Sequence, residues 1–235
     1  MRACRGRLGK GSCWRKMFLY VITPSHWCDK DYSSLSAMLT SRGGRSIACV
    51  QWRCKNGYDR EREDIERVRA LCMRHGVALV LNDGRHSAYG DGVHLGRHDY
   101  GHGGYRHFYR HVRGGRRYGR GIRDSHHRAM RLGVSCYGSY GRALAASMRG
   151  AESVAFGAFF ATRSKAMTMR ASLSVLYRWR RRTHQVATIA IGGIGIQHVR
   201  VLQQAGVDYV AMISGIWAYP QGAVAAVEKF SLLTH

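Results

Sequence analysis

Asp83 and Asp99 offer the most chemistry in this sequence. Asp83 closes the run Leu79-Val80-Leu81-Asn82-Asp83, and Asp99 follows Asp91-Gly92-Val93-His94-Leu95-Gly96. A short apolar run that ends in a carboxylate is how a buried parallel strand delivers an acid to the rim of its sheet. The chain has 14 acidic residues against 38 basic ones, so such a pair stands in a cationic field. Two carboxylates there can seat Mg2+, an ion that keeps part of its water shell and takes further oxygens from a bound phosphate. Each acid also has a plainer reading, Asp83 as a helix N-cap and Asp99 as a loop acid paired with arginine. Their coincidence at two strand ends favours the metal.

Gln51, Arg53 and Lys55 alternate along the chain, which in a strand places all three on one face. Arg53 and Lys55 then suit a pyrophosphate, with the Gln51 amide addressing an attached heterocycle; the plain alternative is a solvated strand edge. Two glycine-rich strand endings, Ile191-Gly192-Gly193-Ile194 and Ile213-Ser214-Gly215, fall where barrels form phosphate sites. The stretch from Gly157 to Lys165 adds Thr162, Arg163, Ser164 and Lys165, hydroxyls and cations fit for a second phosphate. Ser135 ends another strand. His98, His102, His107 and His111 have near-helical spacing, but Gly101, Gly103 and Gly104 interrupt the helix a zinc site needs. His94, inside a strand, reads as a hydrogen-bonded packing residue.

The elements that position these groups alternate regularly. Strands are expected at 18–23, 47–51, 77–81, 92–95, 132–135, 153–157, 188–191 and 207–213. Helices are expected near 33–42, 60–75, 139–149, 170–182, 196–205 and 221–232. Eight strands separated largely by helices predict an α/β protein, a single (β/α)8 TIM barrel, better than a doubly wound sheet. Residues 1–16 read as a basic tail, 17–235 as the barrel, and about 100–131 as a low-complexity insertion of Gly, His, Arg and Tyr.

Composition bounds the rest. A net charge of +24 draws anions of every kind, and its excess is heaviest in the tail and the insertion, which suggests basic appendages on a more ordinary body. No apolar run is long enough to span a bilayer, and the basic start has no apolar core of a secretory signal. Seven scattered cysteines without a C-x-x-C motif fit a reducing cytoplasm. The Arg, Tyr and Gly of the insertion also match segments that bind RNA.

In order, Gln51-x-Arg53-x-Lys55, Asn82-Asp83, Asp91 to Gly96 with Asp99, Gly133-Val134-Ser135, Phe156 to Lys165, Ile191 to Ile194 and Ile213 to Gly215 resemble the thiamine-phosphate synthase family. The resemblance leaves out most of 100–131. It implies a barrel that joins hydroxymethylpyrimidine diphosphate to thiazole phosphate, releases pyrophosphate and uses Mg2+. By that resemblance Gln51, Arg53, Lys55, Asn82, Ser135 and Lys165 hold the pyrimidine diphosphate, with Arg53, Lys55 and Lys165 stabilising the departing pyrophosphate. It assigns Mg2+ to Asp83 and Asp99, and the thiazole phosphate to Thr162, Ser164, Gly193, Ile213 and Ser214. Departures from the family pattern are Arg97 where glutamine is usual, Ala158 and Ala161 in place of prolines, Ser164 in place of threonine, and a short connection before the fourth strand. The alternatives are a metal-independent barrel of the thiazole tautomerase type and an inactive barrel that binds RNA through the insertion.

Overall fold

Short runs of aliphatic and β-branched residues carry the architecture. They form β1 (Phe18–Ile22), β2 (Ile47–Trp52), β3 (Ala78–Asn82), β4 (Gly92–Leu95), β5 (Leu132–Tyr137), β6 (Ser153–Phe156), β7 (Ala187–Ile191) and β8 (Tyr209–Met212). Neighbours pair in parallel, and β8 returns to β1 to close a barrel in sequence order. The computed structural model describes residues 16–54, 60–83, 89–96, 132–161, 170–182 and 185–234. Lys55, Arg97, Asp99, Thr162, Arg163, Ser164, Lys165, the tail up to residue 15 and the 100–131 insertion lie outside the described residues.

The two faces of each strand serve two cores. Tyr20, Ile22, Cys49, Ala78, Val80, Ala155, Ile189, Tyr209 and Ala211 fill the barrel interior. There small residues make room for two tyrosines, and the Tyr20 hydroxyl is hydrogen-bonded with the Cys49 thiol. The alternate residues, among them Leu19, Val21, Val50, Leu79 and Leu81, face outward against the helices. Burial on both faces explains why the strands read as continuous apolar runs.

The helices are α1 (Asp29–Thr40), α2 (Glu61–Arg74), α3 (Tyr140–Met148), α4 (Ser174–Arg182), α5 (Val199–Gln204), α6 (Ser214–Trp217) and α7 (Ala223–Thr234). α1 starts four residues before the expected 33, because the Asp31 carboxylate accepts the Cys28 N–H at 3.0 Å and caps the earlier turn. α6 is a helix that periodicity missed: one turn is too short to establish a pattern. α4 buries Val175, Leu176 and Trp179 and leaves Arg178, Arg181 and Arg182 exposed. The barrel's own surface therefore carries basic residues as well.

Among the described residues no helix is long and apolar enough to cross a membrane, and Cys28, Cys49, Cys54, Cys72 and Cys136 are free thiols. Burial pushes the Cys49, Cys72 and Cys136 thiols well above their ordinary pKa, so these three are inert packing residues.

At the foot of the barrel two acids do the same work. Asp208, just before β8, accepts the Thr188 N–H of β7 at 2.8 Å, and Asp91, just before β4, accepts the Leu79 N–H of β3 at 2.9 Å. The Arg180 guanidinium stands 3.7 Å from Asp208, too long for a close hydrogen-bonded ion pair. Asp208→Ala is expected to destabilise by about 1–3 kcal/mol in urea unfolding, the cost of a buried N–H left without an acceptor. Asp208→Asn keeps an acceptor oxygen and should lose less than half as much; equal losses would assign the effect to charge instead.

Candidate active site

Parallel strands send successive residues to opposite neighbours, and the end of β1 uses this to serve both flanks of the barrel mouth. On one flank the Thr23 N–H donates to the Gln51 carbonyl at 2.9 Å, and the Thr23 hydroxyl oxygen accepts the Arg53 N–H at 2.8 Å. On the other, the Ile22 carbonyl accepts the indole N–H of Trp217 in α6 at 2.7 Å. Thr23 is fully buried and Ile22 nearly so.

The β2–β3 flank is polar and directional. Gln51, only 3% exposed, points into the barrel, so it is no solvated strand edge. Its Nε2–H donates to Asn82 Oδ1 at 2.8 Å. The Asn82 Nδ2–H in turn donates to a carboxylate oxygen of Asp83. Asp83 itself stands in the left-handed region with φ 59, which Asp tolerates better than most side chains. That turn lets its N–H donate to the His94 carbonyl at 2.9 Å while its side chain leaves the strand. Asp83 is thus held by the β3–β4 ladder and by Asn82; the residues that would show a helix N-cap, 84–88, lie outside the described residues. The half-buried Arg53 lies in its field: burial holds the guanidinium pKa below the ordinary value, and the Asp83 carboxylate works in the opposite direction. Arginine stays charged under such a penalty. One strand further, His94 Nε2 and Ser135 Oγ are 2.9 Å apart inside the barrel.

The β6–β8 flank is built from backbone. Gly193 has φ 66, and a Cβ there would come within 2.2 Å of the Ala161 carbonyl oxygen and 2.5 Å of that of Phe160. A Cβ on Gly215 would meet the Ile194 carbonyl oxygen at 2.3 Å. The loops after β6, β7 and β8 therefore lie one on another, main chain to main chain. A second contact fixes the first two: Phe160 stacks on His198, ring centroids 3.6 Å apart, and the Phe160 N–H donates to the Gly192 carbonyl at 3.1 Å. His198 Nδ1 accepts the Gly195 N–H at 3.1 Å, and burial lowers the imidazole pKa, which favours the neutral ring that bond requires. Ile213 precedes α6 and Ser214 opens it, so the first N–H groups of that turn have no intrahelical acceptor. Backbone N–H groups of this kind, on glycine-rich turns and at a helix start, are what a phosphate needs.

Of the residues singled out from sequence, Gln51, Arg53, Asn82, Asp83, Gly193, Ile213 and Ser214 lie at the C-terminal ends of strands, on one mouth; β5 runs on to Tyr137, so Ser135 lies two residues inside its strand and does not end it. The carboxylate of Asp83, set at the rim with an amide and a guanidinium around it, fits a hard divalent ion that takes one or two protein carboxylates and completes its shell with phosphate and water. Sequence reasoning did not single out Thr23, Trp217, Phe160 or His198. Thr23 had the weak signal of a hydroxyl closing a strand before proline; the others act through tertiary contacts that no local spacing announces.

Comparison with known proteins places the chain. A family model described as thiamine monophosphate synthase matches residues 19–216. The thiamine-phosphate synthase of Rhodospirillum centenum is 34% identical over 224 residues, covering 91% of this chain and 95% of that protein. That of Methylococcus capsulatus is 35% identical over 218 residues, covering 91% and 88%. Among solved structures, the thiamine phosphate pyrophosphorylase of Pyrococcus furiosus superposes with a TM-score of 0.66 at 22% identity, covering 93% of this chain and 96% of that one. The 3-hexulose-6-phosphate synthase of Salmonella typhimurium superposes with 0.62 at 13%, covering 93% and 98%. At such identities the structural likenesses speak for the fold alone.

Gly193→Ala tests the anion-binding reading of the β7 loop. The added methyl has to push the Ala161 and Phe160 carbonyls away, so binding of inorganic phosphate, followed by NMR titration, should weaken at least tenfold while the far-ultraviolet circular dichroism stays unchanged. Unaltered phosphate binding would remove this loop from the site.

Proposed function

The chain belongs to the thiamine-phosphate synthase family, and we propose that it transfers the pyrimidine-methyl group of hydroxymethylpyrimidine diphosphate to the nitrogen of thiazole phosphate, releasing pyrophosphate. The observation that carries this reading is the joining of two unlike flanks through one strand end. A cationic and amide-lined flank at β2–β3 and a glycine-lined flank at β7–β8 are both tied to Ile22–Thr23. A reaction between two phosphorylated molecules calls for that division of labour.

The residues take the following parts. Gln51 and Asn82 orient the pyrimidine through their amides. Arg53 sits beside the diphosphate it is to hold, and Lys55, Lys165 and Ser135 complete that subsite. The thiazole phosphate rests on the backbone of Gly193, Ile213 and Ser214, with Thr162 and Ser164 as hydroxyl donors. Mg2+ held by Asp83 and Asp99 would neutralise charge on the leaving pyrophosphate. The C–O bond to the diphosphate breaks with its electron pair leaving on oxygen, and the thiazole nitrogen lone pair forms the new C–N bond. No protein nucleophile or general base is required, in keeping with a site of donors, cations and one described carboxylate. The reaction belongs in the cytoplasm, a reading supported by the free thiols.

Incubation with both substrates and Mg2+ should yield thiamine phosphate and pyrophosphate in equal amounts. Asp83→Asn should lower the rate at least a hundredfold, and excess chelator should abolish it. Activity that survives Asp83→Asn combined with Asp99→Asn, or survives chelation, would sink the metal assignment; no product from the intact chain would sink the function.

A further inference from the structure

Trp217 sits where the regular hydrogen bonding of the barrel stops. The β1–β8 ladder runs from Phe18↔Tyr209 to its last pair, Val21↔Met212, because the chain then leaves β8 to wind into α6. On the opposite side β1 stays paired for one residue more, Ile22↔Gln51. The Ile22 carbonyl therefore faces the β8 side beyond the end of that ladder, in a residue 1% exposed. A buried carbonyl needs a donor, and the Trp217 indole N–H, at 2.7 Å, supplies the missing rung. Three residues before it in the same turn is Ser214; one residue beyond Ile22 is Thr23, whose hydroxyl holds the Arg53 N–H.

An apolar strut runs parallel to this polar bridge. Trp27 packs edge-on against Trp217, centroids 6.1 Å apart, and against Trp52 at 5.1 Å. Trp52 is flanked in sequence by Gln51 and Arg53, and its own N–H donates to the buried Glu61 carboxylate at 3.1 Å. One indole from each flank thus leans on Trp27, so the two flanks cannot drift apart without opening both the hydrogen bond and the ring contacts.

We propose that Trp217 is a positioning residue that fixes the span between the two phosphate-bearing subsites, and so the distance over which the new C–N bond forms. The inference rests on the two-subsite reading above. Its signature differs from that of a residue serving one subsite. Each substrate still finds its own flank intact and binds as before, whereas the reacting atoms lose their mutual alignment, to which rate is steeply sensitive.

Trp217→Phe keeps a ring against Trp27 and removes only the N–H. Its single-turnover rate constant should fall at least tenfold, with both KM values within about threefold of the wild type, the pattern of an interaction needed in the transition state alone. Thr23→Val, which cuts the same bridge on the other flank, should repeat that pattern. The double variant should lose less than the product of the two single losses, since both sever one connection. A Trp217→Phe rate within twofold of the wild type would overturn the proposal. So would a tenfold rise in a single KM with the rate constant unchanged, which would mean local loosening of one subsite. If Trp217→Phe does not fold, Thr23→Val alone decides by the same two criteria. A wild-type chain that makes no thiamine phosphate would fail the functional reading and take this inference with it; a working wild type with an unaffected Trp217→Phe fails the inference only.

Discussion

Two adjacent groups, the carbonyl of Ile22 and the hydroxyl of Thr23, decide how the mouth of this barrel is assembled. They serve opposite flanks because the backbone groups of consecutive residues of a parallel strand turn to opposite neighbours: the Thr23 N–H goes to Gln51 on β2, and its hydroxyl adds the bond from the Arg53 N–H on the same side. β1 thereby becomes the common reference for a side-chain-rich flank and a backbone-rich flank. Most of the residues given a part in the chemistry are on one of those flanks or on a loop leading from it; Ser135 stands between them on β5. The closed sheet makes this rigid: with both faces of the strands buried, β1 cannot shift without disturbing the tyrosine-filled interior as well as the helix layer.

On the proposed reading the flanks solve different problems of anion binding. At β2–β3 amide donors are lined up from Gln51 through Asn82 to the Asp83 carboxylate, so the carboxylate is oriented before any ligand arrives. Arg53 adds a charge that burial strengthens for any anion that reaches it. At β7–β8 the recognition surface is made by removing side chains: a glycine at 193 or 215 is required because the next loop's carbonyls already occupy the place of a Cβ. Preorganisation of this sort costs nothing further when the substrates bind, and it is the main resource of a reaction that needs placement and charge stabilisation more than proton transfer.

The order and type of the elements were legible in the sequence because buried parallel strands and amphipathic helices each leave their own period. The strand ends were legible too, and with them Gln51, Arg53, Asn82, Asp83, Gly193 and Ser214, since barrel geometry places such residues on one rim. What the sequence could not carry is the interior bookkeeping. Gln51 reads equally as a solvated edge residue until the register puts its amide against Asn82. Trp217 reads as an ordinary apolar residue until the β1–β8 ladder is seen to end one rung short of Ile22. α6 escapes because a single turn has no periodicity. The body between tail and insertion carries cations of its own: α4 turns Val175, Leu176 and Trp179 to the core and leaves Arg178, Arg181 and Arg182 exposed.

The central claim is that both flanks of one mouth act on two ligands at once. A crystal structure of the chain with Mg2+, pyrophosphate and thiamine phosphate tests it most directly. The pyrophosphate should lie against Arg53 on the β2–β3 flank, and the phosphate of thiamine phosphate on the backbone of Gly193 and Ser214, with the pyrimidine between them near Gln51 and Asn82. Both anions crowded on one flank, or either one bound outside the mouth, would contradict it.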